Sequence, residues 1–420
     1  MRSLSERSDP RVTAPGVGEG DSLHPAFAEK PKTTHQRNAA MKITKVDPIL
    51  ADRFLFVRVE TDAGISGIGE SGAWGHVEAS AAAIRKFGEY LVGKPAGDIE
   101  HHWNVMQRAH HFTGAAITGA ISAIDIALWD IKGKRLGVPV YDLFGGAIRT
   151  KARLYAHVLG ATIDELVTRL RARKAEGYNA VGHLNPFLDE NEEEPYFKPH
   201  AAKMTEAIEN VRRLREAAGS EVDLCIEIHR RLTPPEAIAF GRAIERFQPM
   251  FYEDPLRPYS PDAMAEVADH IPIPVATGER FTSLHTFQAL LARNGVKFLR
   301  PCICICGGLS AAKKISALAE AFDAQIVPHN PLSPLGLAAS LQLAAVIPNF
   351  AIQEYPCGAD GKLKGETMFT GLSAPRDGFI AIPSAPGLGI ELVPDIERKF
   401  PPVARPIRMR PHVDGSMVDQ

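Results

Sequence analysis

Three glutamates, Glu227, Glu253 and Glu279, recur at intervals of 26 residues, each at or just past the end of a short apolar run (DLCIEIH, PMFYEDP, IPVATGE). A single carboxylate in such a place is ordinarily a cap for the helix that follows. Three in register, with histidine on the same rim, point instead to a convergent metal site. Oxygen donors without thiolates or paired imidazoles suit a hard cation, Mg²⁺ first. Glu227 and His229 stand two apart, which on a strand puts both on one face, so His229 is expected beside the cation. His329 closes another apolar run, AQIVPHN, and is expected to reach in from the far side. An imidazole of ordinary pKa, ~6.5, serves as acid or base near neutrality. Two of them flanking a metal-held substrate can remove a proton on one face and deliver one on the other. Other runs end in His183 and Asn185, in Cys302 and in Glu354.

A frame must bring these run ends together. After Lys151 eight apolar runs alternate with helical patterns: ARLYAHV, YNAVGHLN, DLCIEIH, PMFYEDP, IPVATGE, VKFLRP, AQIVPHN and AIQEYP. Short apolar strands separated by helices make βα units and a parallel sheet covered on both faces. Eight such units make a (β/α)8 barrel, whose catalytic side chains sit at the C-terminal strand ends. Upstream, FLFVRVET and ISGIGES flank Asp62-Ala63-Gly64, a hairpin signal. An amphipathic helix is expected over residues 117–137. The division this predicts is a disordered extension over 1–40, an α+β capping domain over 41–148, the barrel over 149–375, and a segment over 376–420 that returns to the capping domain.

Composition narrows the function classes. With 45% hydrophobic and 23% charged residues the chain can bury a large core. A net charge of −2 gives no electrostatic reason for a nucleic-acid or membrane partner. No run approaches the ~20 apolar residues of a membrane helix. Five cysteines are too few and too scattered for a disulfide framework, which fits a reducing, cytoplasmic setting.

Several segments together carry a resemblance: ALWDIKGK (127–134), IEIHRR (226–231), FYEDP (251–255), ATGER (276–280), CGGL (306–309), PHNPLSPLGLAASLQL (328–343), NFAIQE (349–354) and PGLGIEL (386–392). From Met41 to about residue 394 the chain resembles the mandelate racemase subgroup of the enolase superfamily, most of all acid-sugar dehydratases of the D-galactonate dehydratase type. The resemblance implies a modified (β/α)7β barrel beneath an α+β cap, and a homo-oligomer. It implies that Glu227, Glu253 and Glu279 bind Mg²⁺, which holds the substrate carboxylate and stabilises the enediolate. His329 matches the base that takes the α-proton, His229 the acid that helps the β-hydroxyl leave, and Glu354 the residue hydrogen-bonded to the substrate carboxylate. His183, Asn185, Arg280, Cys302, Trp74 and His76 are then expected around a small sugar-acid substrate. Epimerisation or cycloisomerisation on the same site, or a binding protein without turnover, are the alternatives.

Three positions depart from the family pattern. Cys302 stands where an Asp usually orients the base histidine, and a neutral thiol is a poor substitute. His183-Leu184-Asn185 replaces a Lys-x-Lys pair, which argues against a two-base racemase. Glu227 replaces an Asp, one methylene longer and still a competent ligand. Other signals are set aside. Gly67-Ile68-Gly69-Glu70-Ser71-Gly72 matches a dinucleotide fingerprint, but in a hairpin arm instead of a strand-to-helix turn. Cys302, Cys304 and Cys306 would share one face of a strand as small buried residues. His101-His102 and His110-His111 are expected on the surface or in loops, and the basic tail 405–412 is expected to be solvated or at a subunit contact.

Overall fold

The computed structural model describes residues 41–188, 195–407 and 410–418. The expected disordered extension over 1–40 therefore lies outside the described residues. From Met41 the chain runs β1 (Ile43–Ala51), β2 (Phe54–Thr61), β3 (Ser66–Ser71), α1 (Val77–Leu91), α2 (Ile99–Arg108), α3 (Ala115–Leu136) and a short α4 (Val140–Leu143). The first three strands form an antiparallel sheet, with the expected hairpin at Asp62–Gly64 closed by hydrogen bonds from Gly64 N to Thr61 O and Thr61 N to Ile65 O. The fingerprint glycines have a packing role here. A Cβ on Gly67 or Gly69 would run into the carbonyl oxygens of Ala127 and Ala123, so both glycines let β3 lie directly on α3. Helix α3 differs from the amphipathic expectation: every residue from Thr118 to Leu128 is buried. Over this stretch it runs through the interior, with the sheet on one side and barrel helices on the other, so only its ends meet water. His102 also differs, being buried between Tyr90 Oη and Pro95 O and not at the surface.

The eight expected barrel strands all form. They alternate with seven helices among the described residues: β4 (Lys151–His157), α5 (Ile163–Ala175), β5 (Ala180–Leu184), α6 (His200–Ala218), β6 (Asp223–Glu227), α7 (Pro234–Ile244), β7 (Phe251–Glu253), α8 (Pro261–His270), β8 (Val275–Thr277), α9 (Leu284–Ala292), β9 (Phe298–Leu299), α10 (Gly308–Glu320), β10 (Gln325–Ile326), α11 (Pro334–Val346) and β11 (Gln353–Tyr355). The strands pair in parallel from β4 through β10, and β11 pairs with β4. A parallel bridge between Ile326 and Phe350 joins the two ends. The result is the expected (β/α)7β barrel. Tyr155, Ala180, Cys225, Phe251, Ala276, Val327 and Ile352 form an apolar layer within it, below the strand ends that carry the polar residues. Thr162, Thr233, Ser260, Ser283 and Ser333 cap the helices that start from those ends, and Pro234, Pro261 and Pro334 pre-set first turns. Short capped loops of this kind hold the rim in place. Beyond β11 lie β12 (Phe369–Thr370), β13 (Phe379–Ala381), β14 (Glu391–Leu392) and α12 (Ile396–Lys399). β13 pairs with the start of β4, while Phe400 O accepts from Asp52 N and Val403 N donates to Asp52 O.

Buried carboxylates fasten the antiparallel sheet and α3 to the barrel. Glu70 on β3 accepts from Ser333 N, Ser333 Oγ and Gly336 N at the start of α11. Asp125 on α3 accepts from Ser310 N and Ser310 Oγ at the start of α10. Helix N-termini favour anions, yet burial outweighs these donors and pushes Glu70 and Asp125 each up to about 7. A carboxyl group raised in the folded state adds stability that is complete below its unfolded pKa and is lost as pH rises through the folded one. The Glu70 contribution is therefore expected to fade between about pH 4.5 and pH 7. Glu70→Gln, which cannot ionise, should flatten that slope, cutting the fall in unfolding free energy between pH 5 and pH 8 by on the order of 1–3 kcal/mol in urea titrations. An unchanged slope would show that Glu70 is ionised throughout.

Candidate active site

The last residues of β6 and β7 are Glu227 and Glu253, paired side by side in the parallel ladder, so both side chains leave the barrel on the same level. Glu279 follows β8 after Gly278, whose φ of +131° turns the chain inward. A Cβ there would press on the Phe287 ring and the Arg300 backbone, so the bend needs glycine. One oxygen from each of the three glutamates lies within 4.8 Å of the others. Glu227 and Glu253 are almost wholly buried, and the Glu279 side chain is 15% exposed.

His229 reaches this cluster by a different route from the one expected. β6 stops at Glu227, and His229 and Arg230 both lie in the left-handed region, at φ +53° and +64°. The backbone N–H of His229 donates to Glu227 Oε1 at 2.8 Å, and the turn brings the ring back to within 4.8 Å of Glu227. Non-glycine residues held at such angles store strain and gather at functional sites. His183 shares the feature, at φ +56°, and its ring nitrogen groups with Glu227 and His229 within 4.8 Å. Three imidazoles thereby form a row along the strand ends: His157 stacks on His183 at 4.8 Å, and His183 meets His229 edge-on at 4.7 Å. Asn185 is buried, its Oδ1 accepting from Phe187 N, one turn away from the row.

On the other side stands His329, its Nε2 3.3 Å from Glu279 Oε2. Its Nδ1 is buried without a hydrogen-bond partner among the described residues. Cys302 does not hydrogen-bond the ring. β9 ends at Leu299, and Cys302 to Cys306 form a turn in which Cys302 O accepts from Ile305 N and Cys306 N. The three cysteines thus lie in a turn and not along a strand face, and Cys302 is 1% exposed.

Arg300 fills the place that sequence reading gave to Cys302. It is the first polar residue after the run VKFL, the criterion that picks out Glu253 in its own strand, and it carries the largest fully buried side chain among the described residues. Its Nη2 donates to Glu354 Oε2 at 2.7 Å, its Nε lies against Glu253 Oε1, and its guanidinium sits 5.6 Å over the Tyr155 ring. Glu354 also accepts from Asn330 N and His157 Nε2, at 2.8 Å each. Arg230 makes a second fork, donating to Asp254 Oδ2 and Glu279 Oε1 at 2.8 Å. His157 and Arg230 were likewise not singled out by sequence reading. The remaining expected contacts are peripheral. Trp74 is exposed between the Arg53 and Arg405 guanidiniums, and Arg53 Nη2 reaches Pro331 O beside the His329 loop. His76, at the start of α1, and Arg280 are exposed.

Electrostatics follow from this crowding. Burial pushes Glu227 up, and pushes Glu253 well above the usual carboxylate range, despite their cationic neighbours. Glu279 is also penalised by burial, but His329, Arg230 and His229 reverse the balance and bring it to about 2. The same opposition, with Arg300 the strongest attraction, holds Glu354 well below its ordinary value. His329 is lowered, chiefly by burial, which leaves its imidazole neutral and able to accept a proton. Clustered buried carboxylates, two of them raised by burial, fit a hard divalent cation, which would offset the crowded negative charge. A carboxylate triad with an imidazole on either side is an arrangement that can hold a cation and move protons on both sides of it.

Comparison with known proteins gives the lineage. Residues 165–396 match the enolase C-terminal domain-like family, and residues 29–145 match the mandelate racemase/muconate lactonizing enzyme N-terminal domain. A D-galactonate dehydratase of Ralstonia pickettii is 34% identical over 390 residues, covering 90% of this chain and all of that protein. One from Variovorax paradoxus is 36% identical over 398 residues with the same coverage. Among solved structures, a member of the enolase superfamily from Salmonella Typhimurium superposes with a TM-score of 0.79 at 30% identity, over 86% of this chain and 98% of that one. An enolase from Agrobacterium radiobacter, bound to Na and L-malate, gives 0.82 at 28% identity, over 90% and 100%. The chain belongs to the mandelate racemase subgroup of the enolase superfamily. Within it, the chain is a hydro-lyase.

Proposed function

We propose that the chain dehydrates a sugar acid of the aldonate class, galactonate-like or mannonate-like, to its 2-keto-3-deoxy product. The observation that carries this reading is the arrangement of Glu227, Glu253 and Glu279 within 4.8 Å, with His329 Nε2 3.3 Å from one of them and a ring nitrogen of His229 within 4.8 Å of another. The substrate class is supported by the D-galactonate dehydratases among its relatives. Glu227, Glu253 and Glu279 would hold Mg²⁺, and a cation there draws off the negative charge that builds on the substrate carboxylate as its α-proton leaves. His329 Nε2 takes the C2 proton. His229 delivers a proton to the 3-hydroxyl, which departs as water with the C3–O bond pair. The resulting enol becomes the 2-ketone by taking a solvent proton at C3. Trp74, His76, His183, Asn185, Arg280 and Cys302 were the expected substrate neighbours. Of these, His183 is best placed for the role, since its ring adjoins His229. No helix among the described residues is long and apolar enough to cross a membrane, and the five cysteines are free and buried. Free, buried thiols are in keeping with a reducing, cytoplasmic setting, and the family resemblance implies a homo-oligomer.

The test is proton NMR of a sugar-acid panel that includes D-galactonate, with the enzyme and Mg²⁺ in D₂O. A 2-keto-3-deoxy acid with deuterium at C3 is the expected product. Exchange or inversion at C2 without a keto product would replace dehydration with epimerisation, and a ring-opened or lactone product with cycloisomerisation.

A further inference from the structure

We propose that Arg300 is a positioning residue that sets the cation affinity of the carboxylate triad, by holding a fixed positive charge against Glu253 and Glu354. The proposal rests on the reading of Glu227, Glu253 and Glu279 as a cation site. A guanidinium fully buried at the floor of such a site needs explaining, because burying a charge is costly and is repaid only by close anions. Arg300 has two of them. Glu354 takes its Nη2, and Glu253 lies against its Nε without the alignment of a hydrogen bond, leaving Glu253 Oε1 buried and unbonded.

Two consequences follow from the contacts. First, both oxygens of Glu354 are occupied by donors, Oε1 by His157 and Oε2 by Arg300 and Asn330 N. An ionised carboxylate is acceptor-only, and these contacts tie Glu354 to the protein on both oxygens. It serves as the anchor that keeps Arg300 in place. Second, any cation shared by the three glutamates sits within a few ångströms of a permanent positive charge. At such separations a unit charge in a partly buried site acts with an energy of several RT, so the triad should bind cations more weakly than its carboxylate count suggests. Arg230 adds to the effect from the Glu279 side. Nη1 and Nε of Arg300 are buried with no hydrogen-bond partner among the described residues, so the guanidinium is hydrogen-bonded through Nη2 and held to Glu253 by charge.

The experiment measures Mn²⁺ binding to the full chain by the loss of the free-ion paramagnetic resonance signal, with and without turnover assays. Arg300→Gln, which keeps a hydrogen-bond donor and loses the charge, is expected to bind Mn²⁺ at least about tenfold more tightly than the wild type. Arg300→Lys keeps the charge but cannot serve Glu253 and Glu354 with one planar fork, so its affinity should lie within about threefold of the wild type. Should the glutamine variant fail to fold, Arg300→Met is measured in its place, with the same tightening expected. A folded neutral variant with unchanged or weaker Mn²⁺ affinity overturns the proposal, while a wild type that binds no Mn²⁺ overturns the cation-site reading beneath it. A merely structural arginine would change thermal stability and leave Mn²⁺ affinity where it was.

Discussion

Glu227→Gln is expected to lower Mg²⁺ affinity by at least about 100-fold and turnover by about 10³-fold or more, without unfolding the protein. The magnitude follows from removing one of three anionic donors from a cation whose role is to stabilise charge developing in the transition state. The substitution is well isolated. Glu227 Oε1 accepts the His229 N–H, a bond the glutamine carbonyl can keep, so the left-handed turn that carries His229 and Arg230 is retained. Burial already pushes Glu227 up, so a neutral side chain relieves repulsion, and the melting temperature should hold or rise. Calorimetric Mg²⁺ titration beside steady-state rates checks both parts. Retained affinity with lost turnover would move Glu227 from ligand to some other role.

His329→Asn should remove turnover by about 10²- to 10⁴-fold, the usual worth of a positioned general base, while leaving Mg²⁺ affinity within a few-fold. The decisive readout is exchange of the substrate α-proton with D₂O in the absence of net product. Exchange should vanish with dehydration if His329 Nε2 is the base. Exchange that persists while dehydration falls would assign proton removal to the opposite side, where His183 and His229 stand edge to face. Because Nδ1 of His329 has no hydrogen bond among the described residues, the wild-type base lacks the fixed orientation that a carboxylate partner would give it.

The frame of this site was legible because barrel strands announce themselves locally. Eight short apolar runs, seven of them leading to a candidate site residue, are visible without knowledge of what lies opposite, and the 26-residue spacing of the glutamates is a direct image of the βα unit. The arginines were not legible in the same way. Arg300 and Arg230 matter through carboxylates 54 and 49 residues away, and although Arg300 follows the run VKFL directly, nothing local names the carboxylates that each arginine meets. Cys302 was taken as the end of its strand because β9 is only two residues long and the apolar character continues through the cysteines into a turn. His229 reached its expected neighbour, but by backbone strain and not by strand alternation, and left-handed turns of non-glycine residues leave no reliable trace in sequence. Helix α3 was read as one-faced because its neighbours on both sides come from distant parts of the chain.

The seating of Glu70 on Ser333 and of Asp125 on Ser310 bears on how such proteins can be recombined. Both acids belong to the N-terminal portion, and both serines open the helices that follow β9 and β10, the strands leading to Arg300 and His329. A chimera that joins this N-terminal portion to a relative's barrel inherits buried acids that need those two serines. Transplanting the serines with the cap, or pairing apolar residues on both sides of each joint, decides whether such a graft yields a folded enzyme.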